Sequence, residues 1–137
     1  MMAGAELQKH SLKSELESLA KVERIIEDLR ALYSISEDVY GNIVVSLSEA
    51  TNNAIKHGNK YDTAKLVSLS LEITEKSYIF TVEDEGSGFD FNNIPDPTHP
   101  DNIEKPDGRG IFIMTNLADE IEFKEDGRIV VLSFYRS

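Results

Sequence analysis

Apolar residues recur along this chain at two spacings, and the change from one to the other outlines its elements. Leu12, Leu16, Leu19, Ile26, Leu29 and Tyr33 return at helical intervals, which predicts an amphipathic helix over about 14–33. Residues 7–11, just before it, read as a short strand. A second helix is predicted from Ser36, a suitable N-cap, with Glu37 and Asp38 where acids favour the helix dipole. It runs to about His57 and stops at Gly58. The period then drops to two. Val67, Leu69, Leu71 and Ile73 share one face of a strand, and Tyr78, Phe80 and Val82 share one face of the next.

Prolines and glycines divide the remainder of the chain. Pro95, Pro97, Pro100 and Pro106 all fall in one segment, together with Asn92, Asn93, Asp96, Asp101 and Asn102. This predicts a loop over about 89–107, longer than most connections within a domain and of the kind that forms functional lids. Glycine pairs flank it, Gly86 with Gly88 and Gly108 with Gly110. A short helix is expected over 111–118. A hairpin then closes the chain, with Ile121 and Phe123 on one strand, a turn at Asp126-Gly127 and a last strand over 129–135. Helices early and antiparallel strands later predict an α+β fold. Its form would be a two-layer sandwich, one mostly antiparallel sheet covered on one face by helices. With 137 residues, the expectation is one domain spanning 1–137.

Charge narrows the range of functions. Fourteen Lys and Arg against 25 Asp and Glu give a net charge of −11, which argues against broad contact with nucleic acid or an anionic membrane. The absence of cysteine excludes disulfides, thiolate metal sites and Cys nucleophiles, and fits a reducing cytoplasm. Residues 1–6 lack the apolar stretch of a signal peptide, and the longest aliphatic run, Ile129 to Leu132, is too short to span a bilayer. A soluble, cytoplasmic protein is expected.

Three places break the pattern. Asp84 continues the alternation of Tyr78, Phe80 and Val82, so its carboxylate should point toward the buried face, at a strand end just before Gly86-Ser87-Gly88. The plainer account is a turn residue at the end of a strand. Glu49 and Asn53, four residues apart, share one side of the second helix, at the border of the apolar arc formed by Val39, Ile43, Leu47, Ala50, Thr51 and Ala54. Lys56 and His57 extend that flank. A carboxylate, a carboxamide and a cation together suit nucleophile activation, hard-cation coordination and phosphate contact. They equally suit a solvated helix edge, and His57 alone suits a helix C-terminal cap. Gly108-Arg109-Gly110, at the expected start of a helix, would present free N–H groups to an anion. It is not a P-loop, since no Lys-Ser or Lys-Thr comes after it.

Taken in order, these segments resemble the motif set of the histidine-kinase-like (gyrase-type) ATPase superfamily. Glu49-Ala-Thr-Asn-Asn53-Ala-Ile-Lys56-His57-Gly resembles its N-box, Asp84-Glu-Gly86-Ser-Gly88 its adenine-reading box, and Gly108-Arg109-Gly110-Ile-Phe-Ile-Met its second glycine box. Within that superfamily the chain is most similar to bacterial anti-sigma factors with serine-protein kinase activity. The size fits, position 49 carries the Glu of the serine kinases, and the stretch from Asp96 to Gly110 looks like theirs.

The resemblance implies ATP and Mg²⁺ as ligands and the loop at 89–107 as an ATP lid. It implies that Asp84 accepts a hydrogen bond from the adenine amino group and that Gly86 and Gly88 let the backbone pass beside the nucleoside. Asn53 would coordinate Mg²⁺, Lys56 and His57 would contact phosphate, and Gly108, Arg109 and Gly110 would cradle it. Glu49 would act as general base toward a serine or threonine hydroxyl of an anti-anti-sigma-type protein. A sigma factor is the further partner implied, and homodimerisation is typical of the family.

Two positions depart from the pattern. The family often places Thr after the glycine near the last strand, where its hydroxyl supports the adenine-binding Asp. Here Gly127 precedes Arg128, leaving Ser68 or another group to supply that support. The Arg that often engages the partner from the first helix aligns only with Lys21 or Arg24. The alternatives are a non-catalytic nucleotide-binding interaction module of the same fold and a structural protein without a ligand.

Overall fold

Strand pairing obeys the period-two alternation. In the computed structural model, which describes residues 6–86 and 106–136, the elements are β1 (Glu6–Lys13), α1 (Ser18–Tyr33), α2 (Glu37–Asn53), β2 (Leu66–Ile73), β3 (Ser77–Glu83), α3 (Pro106–Leu117), β4 (Glu120–Lys124) and β5 (Ile129–Tyr135). The strands make one antiparallel sheet in the order β1-β2-β3-β5-β4. The register stacks the predicted inward residues. Phe80 lies opposite Leu71 on one side and Leu132 on the other, and Val82 lies opposite Leu69 and Val130. The rings of Phe80 and Phe134 meet edge to face at 5.9 Å. This face packs with Val22, Ile26, Leu29, Ile43 and Leu47 of the helices into one core, so the α+β sandwich is the fold observed. No helix among the described residues is long and apolar enough to cross a membrane.

The first helix begins later than its spacing implied. Leu12 is claimed by the sheet, where it lies opposite Val67 and is fully buried, so β1 runs to Lys13 and α1 starts at Ser18. The stripe α1 turns to the core is Ser18, Val22, Ile26 and Leu29, while Leu16 stays exposed in the preceding turn. Ser36 caps α2 as expected, its hydroxyl accepting from the Val39 N–H at 3.4 Å. Before Gly58 the α-helix changes to a π-helical turn over Ala54–Gly58, with the Asn59 N–H reaching back to the Ala54 carbonyl. Such turns insert a residue and occur often at functional sites.

The glycine-rich segment is also corrected. Helix α3 starts at Pro106, where the ring's fixed φ and missing N–H suit a first helical position. Pro106 and Asp107 are therefore helical rather than part of the loop. Gly108-Arg109-Gly110 lie within the first turns of α3 instead of forming a turn ahead of it. Gly88 and residues 89–105 of the expected lid lie outside the described residues. The closing hairpin is as expected, joined by a short 3-10 turn in which Glu125, Asp126 and Gly127 all take left-handed backbone angles.

Candidate functional site

Helices α2 and α3 stand over the β3–β5 end of the sheet, and between them lies a cleft. Val82 and Val130 form its floor, Ala50 and Ala54 one wall, Ile111 and Met114 the other. Small residues on α2 leave room that larger side chains would fill. The polar side chains on this lining are Asn53, Asp84 and Arg128. The cavity measures about 20 Å³, enough for a single water.

Asp84 is 3% exposed, as its phase on β3 predicted. Its backbone N–H donates to the Arg128 carbonyl at 3.0 Å, extending the β3–β5 ladder by one step. Its Oδ1 accepts from the Gly86 N–H at 2.8 Å. Burial raises the carboxyl's pKa above its ordinary value. The Gly86 N–H, the Arg128 guanidinium and the Lys65 ammonium act in the opposite sense, while Glu83 adds to the rise. Glycine is required at two neighbouring positions. A Cβ on Gly58 would collide with the Asp84 carboxyl group, and one on Gly86 would collide with the Gly58 carbonyl oxygen. The end of the second helical segment, the Asp84 carboxylate and the Gly86 backbone are thus stacked against one another.

Gly110 of α3 closes on α2. A Cβ there would lie 2.8 Å from Glu49 Oε2 and 3.3 Å from Asn53 Nδ2. The structure therefore brings Glu49 and Asn53 together against Gly110, and Asp84 together with Gly58 and Gly86, with Asn53 and Asp84 both lining the cleft. Lys56 and His57 are half-buried on the π-helical turn and do not line the cleft. Gly108 and Arg109 belong to the opening turns of α3, and Gly88 falls outside the described residues. Ser68 is exposed and pairs with Glu83, out of register with Asp84; among the described residues no hydroxyl supports that carboxylate.

Two residues that sequence reasoning did not single out organise the site. Asn59 is 1% exposed and fully engaged. Its Nδ2 donates to Ser14 Oγ at 2.9 Å and to the Leu66 carbonyl at 3.1 Å, and its Oδ1 accepts from the Glu85 N–H at 2.8 Å. It ties the β1–α1 turn, the start of β2 and the segment after Asp84 into one knot. Removing it strands buried donors and acceptors, so Asn59→Ala is expected to destabilise the fold by about 2–3 kcal/mol in a denaturant titration. An Asn directly after a helix-ending glycine was the only local signal. Arg128 is the second, and the absence of a Thr at its position was its one visible sign.

The comparisons with known proteins agree with the two-layer fold. A family model described as a histidine kinase-like ATPase domain matches residues 12–134, and the chain belongs to that family. A serine-protein kinase RsbW of Bacillus cereus (strain AH820) is 25% identical over 138 residues, covering 96% of this chain and 86% of the relative. The RsbW of Bacillus thuringiensis (strain Al Hakam) is similar to the same extent. Among solved structures, one of the RsbU and RsbW domains of Rv1364c from Mycobacterium tuberculosis superposes with a TM-score of 0.66 at 15% identity. It covers 96% of this chain and 33% of that one. The chain thus spans about a third of that larger protein and shares its fold.

Proposed function

We propose that the chain is an ATP-binding anti-sigma regulator that phosphorylates a serine or threonine of an anti-anti-sigma-type partner and binds a sigma factor in a cytoplasmic partner-switching system. The observation that carries this reading is the lining of the cleft. The buried Asp84 carboxylate, suited to a base amino group, shares it with Asn53, and Glu49 packs beside Asn53 against Gly110 of α3. The RsbW relatives, named serine-protein kinases, support the choice of hydroxyl acceptor.

The residues present fit Mg·ATP. Among the described residues no group of three or more His, Cys, Asp or Glu could hold a metal by itself. Magnesium that arrives with a triphosphate needs only one or two protein oxygens, and Asn53 offers one. Bound Mg·ATP supplies the transferable phosphoryl group and the positive charge that shields it. Asn53 lends its carboxamide oxygen to the metal side of the site. Glu49 takes the proton of the attacking hydroxyl. Asp84 would orient the base, and the opening turns of α3 would offer main-chain N–H groups to the phosphates. Phosphoryl transfer asks the protein for little beyond such positioning and charge stabilisation.

A second reading keeps the nucleotide as a structural ligand and assigns control to protein contact alone. The lack, among the described residues, of a hydroxyl on the Asp84 carboxylate favours it. One experiment separates the two. The purified protein is incubated with Mg·ATP labelled in the γ-phosphate and an anti-anti-sigma-type domain, with binding measured by calorimetry. Label on a serine or threonine of the partner is expected. Binding without transfer selects the structural-ligand reading, and no binding of Mg·ATP removes both.

A further inference from the structure

The left-handed turn Glu125–Gly127 delivers Arg128 to the rim of the cleft beside Asp84. Its main-chain carbonyl accepts the Asp84 N–H at 3.0 Å. Its guanidinium donates from Nη1 to Glu83 Oε2 at 2.5 Å and to the Asp84 carbonyl at 3.3 Å. The side chain remains 30% exposed, so it is held on the lip rather than buried beneath it. Arg128 therefore grips the Asp84 peptide from two sides while placing a cation next to a buried carboxylate.

We propose that Arg128 is a positioning residue for base recognition, fixing the Asp84 carboxylate so that the cleft prefers a base bearing an exocyclic amino group over one bearing a carbonyl. The inference rests on the nucleotide reading of the cleft. The chemistry is a matter of donors and acceptors. An ionised carboxylate only accepts, so it pairs with an amino group and repels a carbonyl oxygen. A protonated carboxyl gains a donor, and a carboxylate rotated away from the base no longer meets it, so either change loses that discrimination. The charged side chains that act on Asp84 are Arg128 from the β4–β5 turn, Glu83 from β3 and Lys65 from the segment before β2. The cleft walls from α2 and α3 face it with uncharged Ala50, Asn53, Ile111 and Met114, and the π-helical turn adds the backbone of Gly58. Arg128 alone among these both bonds the Asp84 backbone and lines the cleft.

The test compares Mg·ATP with Mg·GTP binding to wild type, Arg128→Met and Arg128→Lys by calorimetry, with melting temperatures recorded beside them. Arg128→Met removes the charge and the fork and is expected to weaken Mg·ATP about tenfold while weakening Mg·GTP much less, so the preference ratio falls. Arg128→Lys keeps the charge without the fork and is expected to recover part of that ratio. If Arg128→Met lowers the melting temperature and leaves the ratio unchanged, Arg128 is a surface ion pair only and the proposal is overturned. If Arg128→Met does not fold, an unchanged ratio in Arg128→Lys with weakened binding of both nucleotides overturns it equally. Wild type that binds no Mg·ATP refutes the nucleotide reading itself, whereas binding with an Arg128-independent ratio refutes this inference alone.

Discussion

Asp84→Asn is expected to abolish useful nucleotide binding while leaving the protein as stable as wild type, or more so. Asp84 Oδ1 is already committed to the Gly86 N–H at 2.8 Å. An asparagine would keep its carbonyl on that donor and turn its NH₂ toward the base, so a donor would face the donor amino group. The expected loss in Mg·ATP affinity is at least ~100-fold, about 3 kcal/mol, read by calorimetry. Stability moves the other way. Burial raises Asp84's pKa in the folded chain, so the folded state binds that proton more readily than the unfolded state does. The ionised carboxylate therefore costs stability above the folded pKa, and the cost is released as the pH falls through it. Asparagine removes the cost altogether. Asp84→Asn should melt at or above the wild-type temperature at neutral pH, with its advantage shrinking in acid. Unchanged Mg·ATP binding in this variant would show that the base is read elsewhere.

That separation of binding from stability also explains why Asp84 was legible in the sequence. Its phase on β3 is fixed by Tyr78, Phe80 and Val82, which point inward whatever the partner strands are, so one local rule located a buried charge. The inward residues of β2, the limits of β5 and the cap at Ser36 were legible for the same reason, since each depends on neighbours a few positions away. The Glu49–Asn53 pairing comes from helical periodicity alone, and so does its place at the border of the buried arc.

The features that the sequence concealed depend on distant partners. Asn59 reads locally as a polar residue after a glycine; its role comes from Ser14 and Glu85, 45 and 26 residues away. Leu12 fits a helical repeat and a strand equally well, and only pairing with Val67 decides between them. Proline ends a helix or begins one, and Pro106 begins one. The π-helical turn adds a residue that no periodicity announces. It carries Lys56 and His57, which are half-buried there. Arg128 was visible only as a missing hydroxyl, because its bonds to Glu83 and Asp84 cross 45 and 44 residues of chain.

Glu49→Gln is expected to lower phosphoryl transfer to a partner hydroxyl by about 10²–10⁴-fold, the usual contribution of a general base, while leaving Mg·ATP affinity nearly unchanged. The two side chains share a shape, and that matters here because Gly110 presses on this position. A Cβ on Gly110 would come within 2.8 Å of Glu49 Oε2, so a variant of different bulk would disturb α3 and Asn53 together with the carboxylate. Glutamine preserves the packing and removes only the capacity to take a proton. Asn53 and the first turns of α3 remain in place to hold the metal and the phosphates, which is why binding should survive. Glu49 is half-buried and packs against Gly110, whereas Asp84 packs against Gly58, so a fault in base recognition and a fault in transfer fall on different variants. Single-turnover transfer of labelled γ-phosphate, measured beside calorimetric binding on the same preparation, separates the two quantities. Loss of transfer with binding intact identifies Glu49 as the proton acceptor. Wild-type transfer by Glu49→Gln would remove it from that role and leave the hydroxyl to lose its proton to water or to the phosphate itself.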